Sequence, residues 1–263
     1  MMLVLLRRAL LAGSASLLVP GSRLPAFATD DPSSANAVIT DRVRLEFVEQ
    51  VSAEESRTLA VTIGLFGKEA PTAVDTFKQA CAGTLALPCP TEVDLSNEVM
   101  ERAKQSKKAT LRACLGSEVE PVSYAYSQVW AVQKGKRVNA GAVQGKFAMR
   151  VAPTFSRSES GLSHDAAGLL SVRRGGGSFD FGITTAPTPE DDDEFTVIGR
   201  VVEGIDVLAE LDALPIVKAA DGLNVDAPRA SRASACEYSN PQPFCAQGKP
   251  LKKVTLRRTA VVI

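Results

Sequence analysis

The chain has 263 residues, of which 45% are hydrophobic and 23% charged, so it can bury a substantial core. Thirty basic side chains balance thirty acidic ones, which argues against nucleic acid or an anionic membrane surface as the main partner. With one histidine and five scattered cysteines, the sequence predicts no metal site, and nothing in it indicates a cofactor.

The first 28 residues differ in character from the rest. Arg7 and Arg8 precede a short apolar run, and Ala26 and Ala28 form an A-x-A pattern, an organisation typical of an export signal. The run is short for a bilayer span, which needs about 20 residues, although an N-terminal anchor is the alternative. Paired arginines also occur in twin-arginine signals. After removal of the signal we expect no stable membrane insertion.

Five cysteines follow, and export would permit disulfides. Cys236 and Cys245 flank a proline-containing loop and are one candidate pair, while Cys89 and Cys114 bracket an apparent helix and are another. Cys81 lies on an apolar helix face, which favours a buried thiol. No Cys-x-x-Cys occurs, so the sequence does not favour thioredoxin-like chemistry.

The mature sequence opens with a predicted hairpin. Apolar and polar residues alternate at 43–47 and again at 59–65, as in half-buried strands. A helix is predicted next, with Pro71 in its first turn and Gly83 at its C-terminal cap.

A charged segment then interrupts the pattern. Residues 91–114 predict a mostly helical stretch with a narrow apolar stripe, inside an insertion at about 88–120. The basic residues at 104–108 favour a solvated face, with a docking surface as the alternative. Residues 124–132 predict a strand, with Trp130 in its core.

The best-defined plan spans residues 168–204. Apolar runs at 169–172, 179–185 and 195–202 predict three buried strands, separated by a glycine-rich turn and an acidic loop. A helix follows Gly204, and a strand pair or one long strand ends the chain. With strands in the majority, we expect a mainly β fold over residues 38–263, a closed β-barrel of about eight strands capped by two helices, plus the helical insertion.

Four segments resemble the cyclophilin family of peptidyl-prolyl cis–trans isomerases. Residues 65–77 (LFGKEAPTAVDTF) are similar to the family's ELFGD..PKTAENF, and residues 164–172 (HDAAGLLSV) to HTGPGILSM. Residues 181–189 (FGITTAPTP) resemble FFITTVPTP, and residues 197–207 (VIGRVVEGIDV) resemble VVFGRVVEGMDV. With the export signal, the chain looks most similar to divergent cyclophilins of the chloroplast thylakoid lumen; a bacterial periplasm or secretion is the alternative.

The resemblance also implies a site. In cyclophilins an arginine in an FHRV motif supplies a cation to the twisted peptide; its position falls on Lys134, with Arg137 as the alternative if the gap is placed differently. Lysine lacks the planar five-donor fork of arginine. At the family's aromatic pair, Phe181 keeps the first ring, but Gly182 replaces the second. Three further groove positions also differ from the family: Arg174 beside Arg173, Glu190 at the tryptophan position, and Phe195 at the histidine position.

Several of these residues have a second interpretation. Arg173 and Arg174 favour a solvated turn over a clamp for phosphate or carboxylate. The acidic residues 191–193 lack the ligand spacing of a hard-cation site. His164 is expected to make a structural hydrogen bond rather than to act as a general base.

By resemblance, the expected function is isomerisation of proline-containing segments of client proteins during folding or assembly. The loss of the cation, the pocket floor, the tryptophan and the histidine together predicts weak or lost activity. The alternative is a non-catalytic protein-binding or chaperone-like scaffold in the lumen. A redox-controlled protein is a third hypothesis, which requires reversible disulfides.

Overall fold

The computed structural model describes residues 36–116, 121–142, 150–151, 160–174, 180–217 and 248–262. The predicted signal and the pair Cys236 and Cys245 lie outside these residues. Within them the chain forms nine antiparallel strands, three α-helices and a short 3₁₀ helix, a mainly β architecture that confirms the predicted fold class.

The strands are β1 (Asp41–Gln50), β2 (Ser56–Leu65), β3 (Ser127–Gln128), β4 (Ala131–Gln133), β5 (Arg137–Ala140), β6 (Leu169–Arg173), β7 (Phe181–Thr184), β8 (Phe195–Glu203) and β9 (Val254–Val262). The helices are α1 (Pro71–Ala82), α2 (Glu101–Leu115) and α3 (Ile205–Ala213), and the 3₁₀ helix is Pro189–Asp193.

One curled sheet contains all nine strands in the order β3-β9-β1-β2-β8-β6-β7-β5-β4. Its two edge strands, β3 and β4, are separated in the chain only by Val129 and Trp130. The Val129 N–H donates to Val254 on one side, and the Trp130 N–H donates to Asn139 on the other. The chain itself therefore joins the two edges of the curled sheet.

Helix α1 covers one end of the core. Pro71 occupies its first turn and Gly83 ends it with a left-handed φ of 69°, as predicted. Its buried face includes Phe77, whose ring centroid lies 5.4 Å from those of both Tyr124 and Phe181. This ring cluster fixes α1 against the sheet by direct aromatic packing.

One local prediction holds only in part, and a second was wrong. The insertion is helical only from Glu101, because Asp94 accepts hydrogen bonds from the N–H and hydroxyl of Ser96 and holds a turn instead. Residues 124–132 are not one strand, because Tyr126 adopts a φ of 66° and the chain passes from β3 to β4 at Trp130. The Trp130 side chain is 39% exposed rather than buried in the core.

No described helix combines the length and apolarity needed to cross a bilayer.

Candidate functional site

Strand register places the site on one face of four neighbouring strands. Side chains alternate between faces, and Val138, Phe181 and Leu170 belong to the main core. Their neighbours in β5, β7 and β6 therefore project from the opposite face. These neighbours are Arg137, Gly182 and Ser171.

Arg137 extends from β5 across β7 at the position of Gly182. A Cβ on Gly182 would lie 2.5 Å from the Arg137 Cζ, and closer still to Nε and Nη2. Real side chains do not approach this closely, so the guanidinium needs a glycine beneath it. The glycine at the family's second aromatic position and the arginine on the next strand thus depend on each other.

The guanidinium reaches three groups beyond β7. Its Nη1 donates to Asp191 Oδ2 at 2.9 Å, and its Nη2 donates to Ser171 Oγ at 3.1 Å. Its Cζ lies 3.7 Å from the centroid of the Phe195 ring, in cation–π geometry. We refer to Arg137, Ser171, Gly182, Asp191 and Phe195 as the Arg137 cluster.

The Arg137 cluster contains an ion pair, Arg137 with Asp191, that is largely shielded from water. The Arg137 side chain is 1% exposed and that of Asp191 is 15% exposed. Burial lowers the pKa of Arg137, while the charge and hydrogen bond of Asp191 oppose this shift. Because the ordinary arginine pKa is so high, the group stays a cation. Asp191 therefore supplies the compensating charge that a buried cation requires.

The acidic loop that contains Asp191 is held to the sheet by further basic groups. Lys136 pairs with Glu190 at 2.7 Å, and Arg173 pairs with Glu194 at 2.9 Å. His164 Nδ1 lies 2.5 Å from Asp192 Oδ1, so the prediction of a structural hydrogen bond for His164 is confirmed. These ion pairs and the hydrogen bond attach the acidic loop to the neighbouring strands and turns.

The two adjacent arginines, Arg173 and Arg174, contact the start of β8 and nearby carboxylates. The Arg173 guanidinium lies 4.8 Å from the Phe195 centroid and also approaches Asp180 at 3.4 Å. Arg174 donates through Nε to Thr196 Oγ1 at 3.0 Å. The sequence favoured a solvated turn here, but Arg173 binds carboxylates within the chain itself.

Lys134 lies apart from the Arg137 cluster. Its Nζ donates to the main-chain carbonyl oxygens of Asp212 and, at 2.6 Å, Leu214, at the C-terminal end of α3. The N–H of Gly135 also donates to the Asp212 carboxylate at 3.0 Å. A lysine at a helix C-terminus is favourable for the unpaired carbonyls and the helix dipole, so Lys134 has a structural role.

The structure thus brings together only some of the groove positions derived from the sequence. Arg137, Gly182 and Phe195 meet in one cluster. Glu190 is at its exposed edge, with 54% of its side chain accessible. Phe181 lies on the opposite face, in the ring cluster with Tyr124.

Two members of the cluster were not singled out from the sequence. Ser171 is identified only by the pairing of β6 with β7, which places it directly opposite Gly182. Asp191 was considered only as a possible ligand for a cation. The role of Asp191 follows from the burial of Arg137 on β5, which needs a compensating carboxylate. The sequence does not show that Arg137 is buried.

The cysteines give a definite result. Cys89 and Cys114 form a disulfide, which confirms one of the two proposed pairings. Cys81 is free and buried, as expected, and burial raises the pKa of its thiol. Thiolate chemistry at Cys81 is therefore suppressed.

Across the described ranges, no group of three or more His, Cys, Asp and Glu side chains is arranged to hold a metal ion. In the acidic loop, the carboxylates of Glu190, Asp191 and Asp192 already have partners within the chain.

Nine antiparallel strands in one curled sheet, with three α-helices, make the described part of the chain a mainly β protein with a cyclophilin-like fold. The family profile described as cyclophilin type peptidyl-prolyl cis-trans isomerase/CLD matches residues 51–228. The chain belongs to this family. Its domain supports a peptidyl-prolyl isomerase role and the binding of proline-containing peptides in general.

Proposed function

We propose that this protein is a cyclophilin-type isomerase domain whose catalytic activity is weak or lost, and which acts on client proteins in folding or assembly mainly by binding them. The observation that carries the proposal is the Arg137 cluster. A buried, paired guanidinium lies over Gly182, the position where the family resemblance expects the ring at the floor of the proline pocket.

Prolyl isomerisation sets the chemical requirements. Amide resonance imposes a barrier of about 18–20 kcal/mol. A catalyst must hold the proline ring in an apolar pocket and aim a donor at the amide as resonance is lost. Each such donor has to be free to strengthen its hydrogen bond in the transition state.

Neither candidate cation meets this requirement. Lys134 is held by carbonyl oxygens at the end of α3. Arg137 is 1% exposed and uses Nη1 and Nη2 for Asp191 and Ser171. To donate to a substrate, Arg137 would have to leave a compensated buried site, which is costly. We infer that neither group acts as the catalytic cation.

The space beside Gly182 has also changed in character. The Arg137 guanidinium and the Asp191 carboxylate bring charge to a face where a proline ring needs apolar contact. Phe195 contributes an aromatic ring, but Arg137 and Arg173 both lie against it. A proline side chain cannot replace these cations without breaking the pairs of Arg137 with Asp191 and of Arg173 with Glu194.

We propose the chloroplast thylakoid lumen as the compartment, with a bacterial periplasm or the exterior as the alternative. The pattern of residues 1–28 supports export. The disulfide between Cys89 and Cys114 is consistent with an oxidising compartment. Import of the full chain into isolated chloroplasts, followed by fractionation, tests this; recovery in the stroma alone would contradict it.

A protease-coupled assay with a proline-containing peptide tests the central proposal. The expected result is a rate close to the uncatalysed one, and Arg137→Leu should not lower whatever rate remains. A rate comparable with ordinary family members would overturn the proposal. If that rate is lost in Arg137→Leu protein that circular dichroism shows to be folded, the catalysis is assigned to Arg137. Lys134→Leu serves as the matched test of the other cation.

The second candidate function is a non-catalytic scaffold. The observation that favours it is the insertion, which carries a 15-residue helix with no buried residue and is fastened by a disulfide. Such a helix adds little to the core. Pull-down with and without the insertion compares the two candidates, because a scaffold that uses this segment loses partners when it is removed.

A further inference from the structure

Helix α2 contributes no residue to the hydrophobic core of the described chain. All of its 15 residues are partly or fully exposed, and none belongs to the core. An isolated helix of this length is marginal in water. Its presence is therefore not explained by the stability of the sheet.

The base of the insertion, in contrast, is firmly attached. Leu87 is 4% exposed, and the Val151 N–H donates to the Pro88 carbonyl at 2.9 Å. Arg150 Nη1 lies 2.7 Å from Cys89 Sγ. The disulfide from Cys89 to Cys114 then fixes the last turn of α2 to this base. The side chains of α2 are therefore exposed to solvent, while the disulfide holds the helix in position.

The charge of α2 is strongly biased. It carries five basic side chains and one acidic one, a net charge of +4 in a chain whose total is zero. Lys104 pairs with Glu101, and Lys107 pairs with Glu98. The remaining three, Arg102, Lys108 and Arg112, are exposed, and no described carboxylate pairs with them.

Apolar side chains lie at both ends of this basic surface. Val99 is 95% exposed and Met100 is 68% exposed beside the N-terminal end, and Leu115 is 61% exposed at the C-terminal end. Lys108 and Arg112 are one helical turn apart and so lie on the same side of the helix. Exposed apolar residues beside unpaired cations are typical of a protein-binding surface.

We propose that α2 is a docking surface for an acidic segment of a partner protein, with Arg102, Lys108 and Arg112 pairing with its carboxylates and the flanking apolar residues contacting its side chains. A preorganised helix loses less freedom on binding, and the disulfide supplies that preorganisation. An acidic peptide fits this surface better than a lipid bilayer does, because the exposed face between its ends has no continuous apolar stripe to insert.

This surface shares no described residue with the Arg137 cluster, so the inference does not depend on whether isomerase activity is lost. The test uses the oxidised mature protein and a fluorescent oligoglutamate peptide as the probe. The variant carries Arg102→Glu, Lys108→Glu and Arg112→Glu. The control carries Lys68→Glu, Lys253→Glu and Arg257→Glu, an equal change of charge at exposed positions elsewhere.

The variant in α2 should raise the Kd for the peptide about tenfold or more, while the control should change it much less. Circular dichroism and thermal melting of both variants establish that they are folded. Equal losses in the two variants would show general charge attraction and overturn the proposal. Binding to anionic phosphatidylglycerol vesicles with no binding to the peptide would also overturn it, in favour of a membrane surface.

Discussion

The Arg137 cluster and helix α2 use the same kind of side chain in opposite ways. Arg137 is 1% exposed and its charge is matched by a carboxylate of the same chain. Arg102, Lys108 and Arg112 on α2 are exposed, without a described carboxylate partner. A buried, paired cation serves the fold and is costly to release, whereas an exposed, unpaired one is available to another molecule. Candidate cations are therefore better judged by burial and partners than by position in a motif.

The largest effect should come from breaking the buried pair. Arg137→Leu leaves Asp191 without its cation in a mostly buried site, so we expect a loss of about 3–5 kcal/mol in the free energy of unfolding. Urea titration monitored by circular dichroism measures it. Lys136→Leu is the matched control, because its pair with Glu190 is solvent-screened and should contribute far less.

A double variant tests whether Arg137 and Asp191 stabilise the fold as a pair. Replacing both Arg137 and Asp191 by leucine removes the uncompensated charge, so much of the stability should return. If the double variant is as unstable as the sum of the two single variants, Arg137 and Asp191 are not energetically coupled and do not form a stabilising pair.

The next effect concerns the glycine beneath Arg137. Gly182→Ala places a Cβ where the guanidinium lies and should cost about 1–3 kcal/mol by overpacking. Gly116→Ala at the end of α2 is the control, since the nearest atom there is 3.3 Å away and its φ is −91°, so we expect a change within about 0.5 kcal/mol. Comparable losses at both positions in thermal unfolding would argue against a close fit at Gly182.

A third effect depends on pH. Burial lowers the pKa of His164, against the opposing influence of Asp192. Below the ordinary histidine pKa of about 6.5 the unfolded chain therefore binds the proton first, and stability falls as the solution becomes more acidic. The slope is at most about 1.4 kcal/mol per pH unit for one proton. Unfolding midpoints measured between pH 7.5 and 5.5 should show the fall.

His164 is the only histidine in the sequence, which makes this test specific. In His164→Asn the side-chain amide can still donate to Asp192, but the side chain at this position no longer titrates. The variant should therefore lose the pH dependence in this range. An unchanged slope would assign the effect to another group.

The smallest effect on the barrel should come from the disulfide. In the variant with both Cys89→Ala and Cys114→Ala, α2 has no buried residue to hold it, so it should open locally and exchange its amide protons faster. The global free energy of unfolding should change by less than about 1 kcal/mol. A loss as large as that of Arg137→Leu would show that the insertion is part of the cooperative core.

Local sequence signals predicted much of this fold. The alternation of apolar and polar residues predicted β1 and β2, and Pro71 and Gly83 predicted the two ends of α1. These signals could be read because each acts within a single element. The insertion helix was predicted too long, since turn formation by Asp94 competes with helix formation. Trp130 was wrongly predicted to be buried. Between β3, which pairs with β9, and β4, which pairs with β5, the chain changes its pairing partner, and the alternation of apolar and polar residues does not show this change.

The candidate site could be predicted only in part. Family resemblance drew attention to Gly182 and Phe195, and it left Lys134 and Arg137 as alternatives. The link between Arg137 and Gly182 depends on the register of β5 and β7, which brings together residues 45 positions apart in the sequence. No single-sequence pattern encodes that register, so the pair of substitutions could not be recognised as one feature.

The most direct test of the account is nuclear magnetic resonance exchange spectroscopy on a short peptide with one Ala-Pro bond, with and without the wild-type protein. This measures cis–trans exchange itself, without a coupling protease. Because Arg137 is paired and lies where a proline pocket would be needed, we expect no exchange peaks beyond those of the free peptide. Exchange peaks at catalytic concentration of the wild-type protein would contradict the account. Their loss in folded Arg137→Leu, with retention in Lys136→Leu, would then assign the catalysis to Arg137.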